Sequence, residues 1–190
     1  IQLEKINKLK SLKEEVAQKE ILSSLNKLAK GKNANLVEAS LWISKMEHPE
    51  IHISEYMEVY QAMEKSLKTM LPAQKITAEN KIEILNKFFF AEKGFHGSIH
   101  DYYSKSNSCM SEVLDDREGI PITLSIVYMQ LARSLGVPME GFGFPGHFMV
   151  GFKPDGELWK IVDVYDGGKV FSMKDALIKI KELSGKVLEA

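Results

Sequence analysis

REGIPITLSIVYMQLARSLGVP, residues 117–138, is the stretch that decides the fold. Pro121 suits the first position of a helix, where the N–H that proline lacks is not needed. The residues that follow, 122–135, are apolar on nearly every side, a pattern typical of a helix buried in the centre of a protein. Gly136 suits the position just after a helix, where the backbone is commonly left-handed. The stretch therefore predicts a central buried helix that is entered through a tight Gly-Ile-Pro turn.

The chain before this stretch shows helical periodicity. Apolar residues recur at three- and four-residue spacing in four segments, residues 1–32, 36–46, 54–71 and 77–93. The excess of lysine in the first segment is typical of a solvated helix face. We expect the apolar and aromatic stripes of these helices to face the core rather than a cofactor.

The chain after the central helix changes to strand-like segments. Three short segments are rich in aromatic and β-branched residues, namely MEGFGF (139–144), HFMVGF (147–152) and WKIVDV (159–164). An amphipathic helix, FSMKDALIKIKELSG (171–185), follows them. Together these patterns predict an α+β fold, with a helical region of residues 1–93 and a core of residues 94–190. In that core the central helix packs on a small antiparallel sheet, and we expect both regions to form one compact unit.

The composition is that of an ordinary globular protein, with 190 residues, of which 44% are hydrophobic and 27% charged. The net charge of −1 gives no general attraction to nucleic acid or to a membrane surface. No apolar run reaches the length of a membrane span. The single cysteine, Cys109, excludes an internal disulfide and fits a reducing compartment. We expect a cytoplasmic protein that binds neither nucleic acid nor membrane and uses no cofactor; its first residue, Ile1, is typical of a trimmed chain.

Two histidines, His96 and His100, have the four-residue spacing of metal ligands on a helix. Gly97 and Ser98 lie between them and disfavour a helix. No set of acidic or thiolate partners accompanies the two histidines. The sequence therefore predicts no metal site.

A histidine and an aspartate face each other in the predicted sheet. Residues 153–156, Lys-Pro-Asp-Gly, are typical of a hairpin turn, and centring the hairpin on Asp155 places residue 147 opposite residue 163. His147 and Asp163 would then be direct cross-strand neighbours on one face, about 5 Å apart at their Cβ atoms. Such a carboxylate orients an imidazole and selects its tautomer. The pair fits either an active site or a structural hydrogen bond.

The central part of the chain resembles the SirB family of transglutaminase-like proteins. The resemblance covers about residues 35–170 and rests on motifs that occur in order: Asp101-Tyr102-Tyr103, Asn107-Ser108, Val113-Leu114, Arg117, Gly119-Ile120-Pro121-Ile122-Thr123-Leu124-Ser125, Leu135-Gly136-Val137-Pro138, Pro145-Gly146-His147-Phe148, Asp163 and Gly167-Gly168. It implies a papain-like core preceded by helices. It also implies that His147 and Asp163 match two members of a catalytic triad and that the third, a cysteine, would fall at about Pro121.

Proline carries no nucleophile, and the SirB-type motif commonly has proline at this position. Thr123 and Ser125 lie near the start of the helix and are the alternative nucleophiles, although both hydroxyls are more simply explained by bonds to nearby backbone. Asn107 and Arg117 either tie the preceding loop to the helix entrance or face a ligand. We group them with Pro121 and Gly146 as candidate binding residues.

Two functions follow from these residues. The first is a pseudoenzyme, a non-catalytic regulatory domain that binds a protein or peptide in a groove at the start of the central helix. The resemblance favours it, because the bacterial family takes its name from a regulatory locus and a similar domain occurs in an F-box ubiquitin-ligase subunit. The alternative is a hydrolase or acyl-transferase in which His147 is the general base, Asp163 orients it, and water, Thr123 or Ser125 attacks.

Overall fold

The computed structural model describes residues 2–31, 34–99, 101–154 and 158–185, and helices dominate the first half of this part of the chain. The α-helices are α1 (Gln2–Ala29), α2 (Leu36–Ser44), α3 (Ile53–Thr69), α4 (Ala78–Asn86), α5 (Met110–Asp116), α6 (Pro121–Ser134) and α7 (Met173–Ser184). A π-helical segment, Lys87–Glu92, continues α4, and a short 3₁₀ helix, Lys105–Ser108, precedes α5. No helix in these described residues is both long and apolar enough to cross a membrane.

Two sheets follow the helical half. The strands are β1 (His96–Gly97), β2 (Glu118–Gly119), β3 (Glu140–Phe144), β4 (His147–Phe152), β5 (Lys160–Asp163) and β6 (Lys169–Ser172). The first two form a small parallel pair, and the other four form an antiparallel sheet in the order β3-β4-β5-β6. The predicted α+β class, a helical half with a small antiparallel sheet, is therefore confirmed.

The central helix α6 begins and ends where its sequence predicts. Pro121 is its first residue. The backbone N–H of Ile120 donates a hydrogen bond to Thr123 Oγ1 at 3.1 Å, so this N–H at the start of the helix has a partner. Gly136 follows the last turn with a positive φ of 74°, a conformation that costs glycine little. Nine of the fourteen residues of α6 are buried, so this helix lies at the centre of the fold.

The four-stranded sheet separates two hydrophobic clusters. The larger cluster joins α6 to the N-terminal helices and to one face of the sheet through residues such as Leu41, Leu85, Tyr128, Val150 and Val162. The smaller cluster lies on the opposite face, where Met149, Ile161, Ala176 and Ile180 pack α7 against the sheet. The alternation of side chains along a strand produces this division, because residues 149 and 150 point to opposite faces.

The two tryptophans occupy different parts of this arrangement. Trp159 belongs to the smaller cluster, and its ring lies edge-on to Phe142 with centroids 5.2 Å apart. Trp42 lies on α2, on the helical side of the molecule, with the Lys45 ammonium 6.0 Å from its ring centroid. The two indole rings therefore belong to separate packing environments.

The register of the β4–β5 hairpin differs from the one predicted. Val150 pairs with Val162 and Phe152 pairs with Lys160, whereas the prediction placed residue 150 opposite residue 160. Residues 155–157, where the centre of the turn was predicted, lie outside the described residues. His147 and Asp163 are consequently not direct cross-strand partners, and that part of the prediction was wrong. The change in register moves the pairing by two residues, which leaves both side chains on the same face of the sheet.

Candidate functional site

A buried hydrogen bond joins His147 and Asp163. His147 is the first residue of β4, and Asp163 is the last residue of β5. Because the two strands are antiparallel, both side chains lie at the same end of the strands. His147 Nε2 lies 2.9 Å from Asp163 Oδ2 and donates to the carboxylate. The carboxylate is fully buried, whereas the imidazole is 11% exposed. The other ring nitrogen, Nδ1, has no hydrogen-bond partner among the described residues.

Asp163 receives two further donors. Lys179 Nζ lies 2.8 Å from Asp163 Oδ2, the same oxygen that His147 contacts, and the backbone N–H of Asp166 donates to Oδ1 at 3.1 Å. Burial alone raises the pKa of Asp163, but the hydrogen bonds from His147 and Lys179 outweigh it. The pKa of Asp163 therefore falls below its ordinary value of 3.8, and the carboxylate is ionised at neutral pH.

Lys179 connects this carboxylate to a second one. Its ammonium also lies 2.6 Å from Asp166 Oδ2, and Lys169 contacts both oxygens of Asp166 at 3.0 Å. Partial burial lowers the pKa of Lys179, but the bonds to Asp163 and Asp166 reverse that effect and hold the pKa above 10.5.

Sequence reasoning missed Lys179. A lysine on an amphipathic helix is ordinarily assigned to the solvated face. The available signal was its position beside Ile180 and three residues after Ala176, both of which face the sheet. A lysine in such a position must carry its charge into the interior, where it requires a carboxylate partner.

A cavity of about 790 Å³ opens beside the His147–Asp163 pair. The cavity lies at the junction of the α6 N-terminus, the β3–β4 turn, helix α7 and the loop after β1, and its lining residues are Ile99, Tyr102, Pro121, Pro145, Gly146, His147, Asp163, Tyr165, Asp166, Lys179 and Leu183. None of these described residues is a serine, threonine or cysteine. Four of the residues selected from the sequence, His147, Asp163, Pro121 and Gly146, therefore meet at one cavity.

Thr123 and Ser125, the two alternative nucleophiles, do not line this cavity. The Thr123 hydroxyl donates to the backbone carbonyl of Asn107 at 2.8 Å and accepts from the Ile120 N–H, so its hydrogen bonds belong to the helix entrance. Ser125 is fully buried, and its hydroxyl has no hydrogen-bond partner among the described residues. Both side chains point into the packed interior at the start of α6.

Asn107 and Arg117 also lie away from the cavity lining. The Asn107 side chain donates to the backbone carbonyl of Asp101 at 2.7 Å. This bond holds together the loop that contains Tyr102, which lines the cavity. The Arg117 guanidinium lies 5.0 Å from the Phe95 ring centroid and 3.8 Å from Met63 Sδ. The Asn107 carbonyl accepts from the Thr123 hydroxyl and so links the loop to the helix entrance, whereas the Arg117 contacts reach α3 and the residue before β1. The binding role of both residues stays a prediction.

Gly146 forms the tight turn that delivers His147 to the cavity. Pro145 and Gly146 connect β3 to β4 as a two-residue loop, and Gly146 has a φ of 72°. Proline followed by a residue with positive φ is the signature of a type II turn. The turn ends directly at His147, so the backbone conformation of Gly146 determines the position from which the His147 side chain extends.

Tyr165 supports both the imidazole and the loop that forms the cavity wall. Its ring is perpendicular to His147 and to Tyr102, with centroid distances of 6.2 Å in both cases. Its hydroxyl donates to the backbone carbonyl of Ser98. A side chain at Gly97 would overlap the Tyr165 ring, so this glycine permits the close approach of β1.

A second cavity of about 470 Å³ adjoins the first. Tyr102 lines both, and the adjacent residues Ile120 and Pro121 line the second and the first respectively. The walls of the second cavity combine apolar residues such as Ile43 and Tyr103, which are 55% and 93% exposed, with serines, two charged residues and Cys109. The two cavities therefore flank the entrance of α6 on either side of one tyrosine.

The described residues contain no cluster of three or more His, Cys, Asp and Glu side chains that could hold a metal ion. His96 lies in the short strand β1, and His100 is outside the described residues. Cys109 is a free, buried cysteine at the start of α5, and burial raises the pKa of its thiol.

Comparison with known proteins identifies the family. The chain is 28% identical over 153 residues to a UPF0162 protein of Xylella fastidiosa, covering 80% of the chain and 54% of that protein. It is 35% identical over 108 residues to human F-box only protein 21, covering 57% of the chain and 16% of that protein. The chain thus spans about half the length of the two Xylella fastidiosa relatives that it matches.

A solved structure of a candidate protease from Parabacteroides distasonis covers 72% of this chain and 30% of its own, at 13% identity. Its TM-score of 0.35 is too low to support a conclusion. The family model of the transglutaminase-like superfamily matches residues 54–190. The SirB-type resemblance seen in the motifs is confirmed, and the chain belongs to the transglutaminase-like superfamily.

Proposed function

We propose that this chain is a non-catalytic domain that binds a protein or peptide in the groove at the start of α6. One observation carries the proposal. The first residue of α6 is Pro121, and none of the described residues that line the adjoining cavity is a serine, threonine or cysteine. A covalent acyl-transfer mechanism requires such a nucleophile within hydrogen-bond reach of the base.

The shape of the groove supports an extended peptide as the ligand. Tyr102 joins the two cavities, so a chain that lies across it places neighbouring side chains in both. Exposed apolar residues at Ile99, Tyr103 and Ile43 offer contact area on the surface of this groove. His147 Nδ1 offers an acceptor for a backbone N–H of the ligand, as a small number of polar groups commonly does in an apolar site.

The relatives support a protein partner. Human F-box only protein 21 contains a segment that is 35% identical to this chain, and by its name that protein is an F-box protein. A regulatory role and a cytoplasmic location belong to the same proposal. The single free cysteine, Cys109, supports the location, because cytosolic proteins keep their thiols reduced.

Selection of phage-displayed random peptides on the immobilised domain tests the binding function. Selected peptides would be titrated calorimetrically against wild type, Ile99→Arg and Leu158→Arg. The two substitutions are matched, since Ile99 is 82% exposed at the cavity and Leu158 is 87% exposed away from both cavities. We expect Ile99→Arg to weaken binding by about tenfold or more and Leu158→Arg to leave it unchanged. Failure to select any peptide, or equal affinity for all three proteins, would contradict the proposal.

A water-dependent hydrolase is the second candidate. The observation that favours it is that Nδ1 of His147 meets no hydrogen-bond partner in the part of the chain that the structure describes, while Nε2 is held by the buried Asp163. In this reaction His147 would take a proton from water, the water oxygen would bond to a carbonyl carbon, and the proton would pass to the leaving group. Hydrolysis of p-nitrophenyl acetate tests this candidate. Turnover above background that disappears in His147→Ala would favour a hydrolase over a binding domain, and activity that persists in His147→Ala would exclude this mechanism.

A further inference from the structure

Lys179 and His147 share one carboxylate oxygen. Asp163 Oδ2 lies 2.9 Å from His147 Nε2 and 2.8 Å from Lys179 Nζ. A buried carboxylate that faces an imidazole alone favours the protonated, cationic ring, because the ring is then its only counter-charge. Here a lysine on a different element, α7, already supplies that counter-charge. Lys179 is therefore placed to change what Asp163 does to His147.

The charges around the pair balance without a proton on His147. The carboxylates of Asp163 and Asp166 carry two negative charges, and the ammonium groups of Lys179 and Lys169 carry two positive charges. The other titratable side chains that line the cavity are those of Tyr165 and Tyr102. A cationic imidazole would add a net positive charge to a cluster that is already neutral, at its buried end beside Asp163, where an uncompensated charge is unfavourable.

We propose that Lys179 is a positioning residue that holds His147 as a neutral imidazole, with its proton on Nε2 and the Nδ1 lone pair available to the cavity. In this state His147 is a fixed hydrogen-bond acceptor for a ligand N–H. Lys179 holds the same Asp163 oxygen that the ring contacts, which keeps the imidazole in one orientation and one tautomer. The inference rests on the proposed function only in assigning Nδ1 to an incoming ligand.

Nitrogen NMR of the histidine rings tests the inference without any ligand. In wild type at neutral pH we expect the His147 nitrogens to show one protonated signal, at Nε2, and one unprotonated signal, at Nδ1. Lys179→Met should raise the affinity of the His147 ring for a proton by about tenfold or more, because Asp163 then lacks its other counter-charge. Lys179→Arg keeps the positive charge and should leave the titration of His147 as in wild type. Lys181→Met, an exposed lysine on the same helix, is the matched control and should change nothing.

A second variant keeps the test decisive if Lys179→Met does not fold. Asp166→Asn removes a partly exposed carboxylate and leaves the Lys179 charge to Asp163 alone. The His147 ring should then bind a proton more weakly than in wild type, which is a change of opposite sign. A wild-type ring protonated on both nitrogens at neutral pH would overturn the inference, and so would unchanged His147 titration in folded Lys179→Met or Asp166→Asn. Because these readouts need no ligand, their failure is distinguishable from a failure to find peptides.

Discussion

Asp163 keeps a full negative charge where none of its side chain meets solvent. Burying an isolated carboxylate costs several kcal/mol or more. Three donors offset that cost here, from the imidazole of His147, the ammonium of Lys179 and the backbone of Asp166. The consequence is a site whose electrostatics depend on side chains from two strands, a turn and the last described helix. The loss of any one donor leaves part of the charge uncompensated.

Asp166 provides a pH-dependent test of this cluster. The hydrogen bond from Lys179 holds the pKa of Asp166 below its ordinary 3.8. A carboxyl group with a lowered pKa stabilises the fold at pH values above 3.8, and this contribution is lost as the pH falls through the lower, folded-state value. We expect wild type to be more stable than Asp166→Asn at neutral pH, by less than about 1 kcal/mol since the side chain is 41% exposed.

Urea unfolding at a series of pH values below about pH 5 measures this difference. The advantage of wild type should shrink continuously toward acid. Asp116→Asn, which alters an exposed aspartate at the end of α5, is the control and should show no such trend. A wild-type advantage that grows toward acid would contradict the expected sign.

At the scale of single residues, the sequence identified His147 and Asp163 but not Lys179, which contacts the same carboxylate. His147 and Asp163 stand in strand segments, where alternation predicts which face each occupies. The observed pairing of β4 with β5 differs by two residues from the predicted one, and a shift of two keeps each side chain on its predicted face. Lys179 could not be placed in the same way, because its contact depends on how α7 packs on the sheet. The roles of these residues in binding or catalysis stay predictions.

Among the elements, α6 presents to the cavity a first residue, Pro121, whose side chain carries no nucleophile. The unpaired N–H groups of a first turn favour an anion such as a thiolate. Pro121 occupies the first position and lines the cavity together with His147. The helix, the imidazole and the carboxylate are therefore present in one place without the group that they would activate.

Pro121→Cys tests whether that arrangement retains its activating geometry. In a Cys109→Ser background, the introduced thiol should react with iodoacetamide at neutral pH about tenfold faster than the thiol of Ile122→Cys, at the next position. Ile122 is a fair comparison, since it is 45% exposed and does not line the cavity. Addition of His147→Ala should remove most of the advantage. Equal rates for the two thiols would show that the helix entrance and His147 do not activate this position.

Gly146 and Gly168 lie in turns at the same end of the four-stranded sheet, but the space around them differs. Gly146 and Gly168 have φ values of 72° and 76°. A side chain at Gly146 would meet nothing within 4 Å, whereas one at Gly168 would overlap Asn86 and reach within 2.5 Å of the Phe90 ring. Gly146→Ala should cost roughly 1–2 kcal/mol from backbone strain alone. Gly168→Ala should cost about 2 kcal/mol more, because overpacking is added to the strain.

Chemical denaturation of both variants checks the comparison. Asn86 offers an independent control, since its side chain donates to the Gly168 carbonyl at 2.9 Å and accepts from the Tyr128 hydroxyl at 2.6 Å. Removing that crowding with Asn86→Ala should make the additional effect of Gly168→Ala smaller. If the two glycine variants are equally destabilised, the crowding around Gly168 does not matter.

Short elements were the ones that sequence patterns missed. The strand β6 (Lys169–Ser172) has four residues and precedes α7 without a break, and the helix predicted over residues 171–185 includes its last two residues. The pair β1–β2 has two residues in each strand, which is too short for any alternation to be visible. The long amphipathic helices and α6 were predictable because their periodicity extends over several turns.

For the whole molecule, the larger hydrophobic cluster crosses the boundary predicted between residues 93 and 94. Leu41 and Leu85 from the helical half share it with Val150 and Val162 from the sheet. In α1, by contrast, the only apolar residue that is buried among those described is Ile21. The pattern of that helix predicted its existence correctly but not its exposure, since periodicity does not reveal whether a partner surface is present. The division into two regions stays a prediction.

Leu41→Ala tests whether the two regions unfold together. Leu41 is fully buried in the shared cluster, so the substitution should cost about 2–5 kcal/mol. Far-ultraviolet circular dichroism follows the helices, and near-ultraviolet circular dichroism follows the packed aromatic side chains. Both signals should move to lower urea concentration together, in a single transition. Two separate transitions, with only one shifted by the substitution, would instead support independent folding of residues 1–93 and 94–190.

The separate environments of the two tryptophans have an optical consequence. Trp159 reports on the layer between the sheet and α7, where its ring meets Phe142 and lies 4.9 Å from the Lys153 ammonium. Trp42 reports on α2 at the other side of the molecule. Replacing either indole with phenylalanine leaves a chain whose intrinsic emission arises from one known position. A ligand that binds in the cavity at His147 and displaces α7 should then change the fluorescence of Trp159. The fluorescence of Trp42 should stay constant.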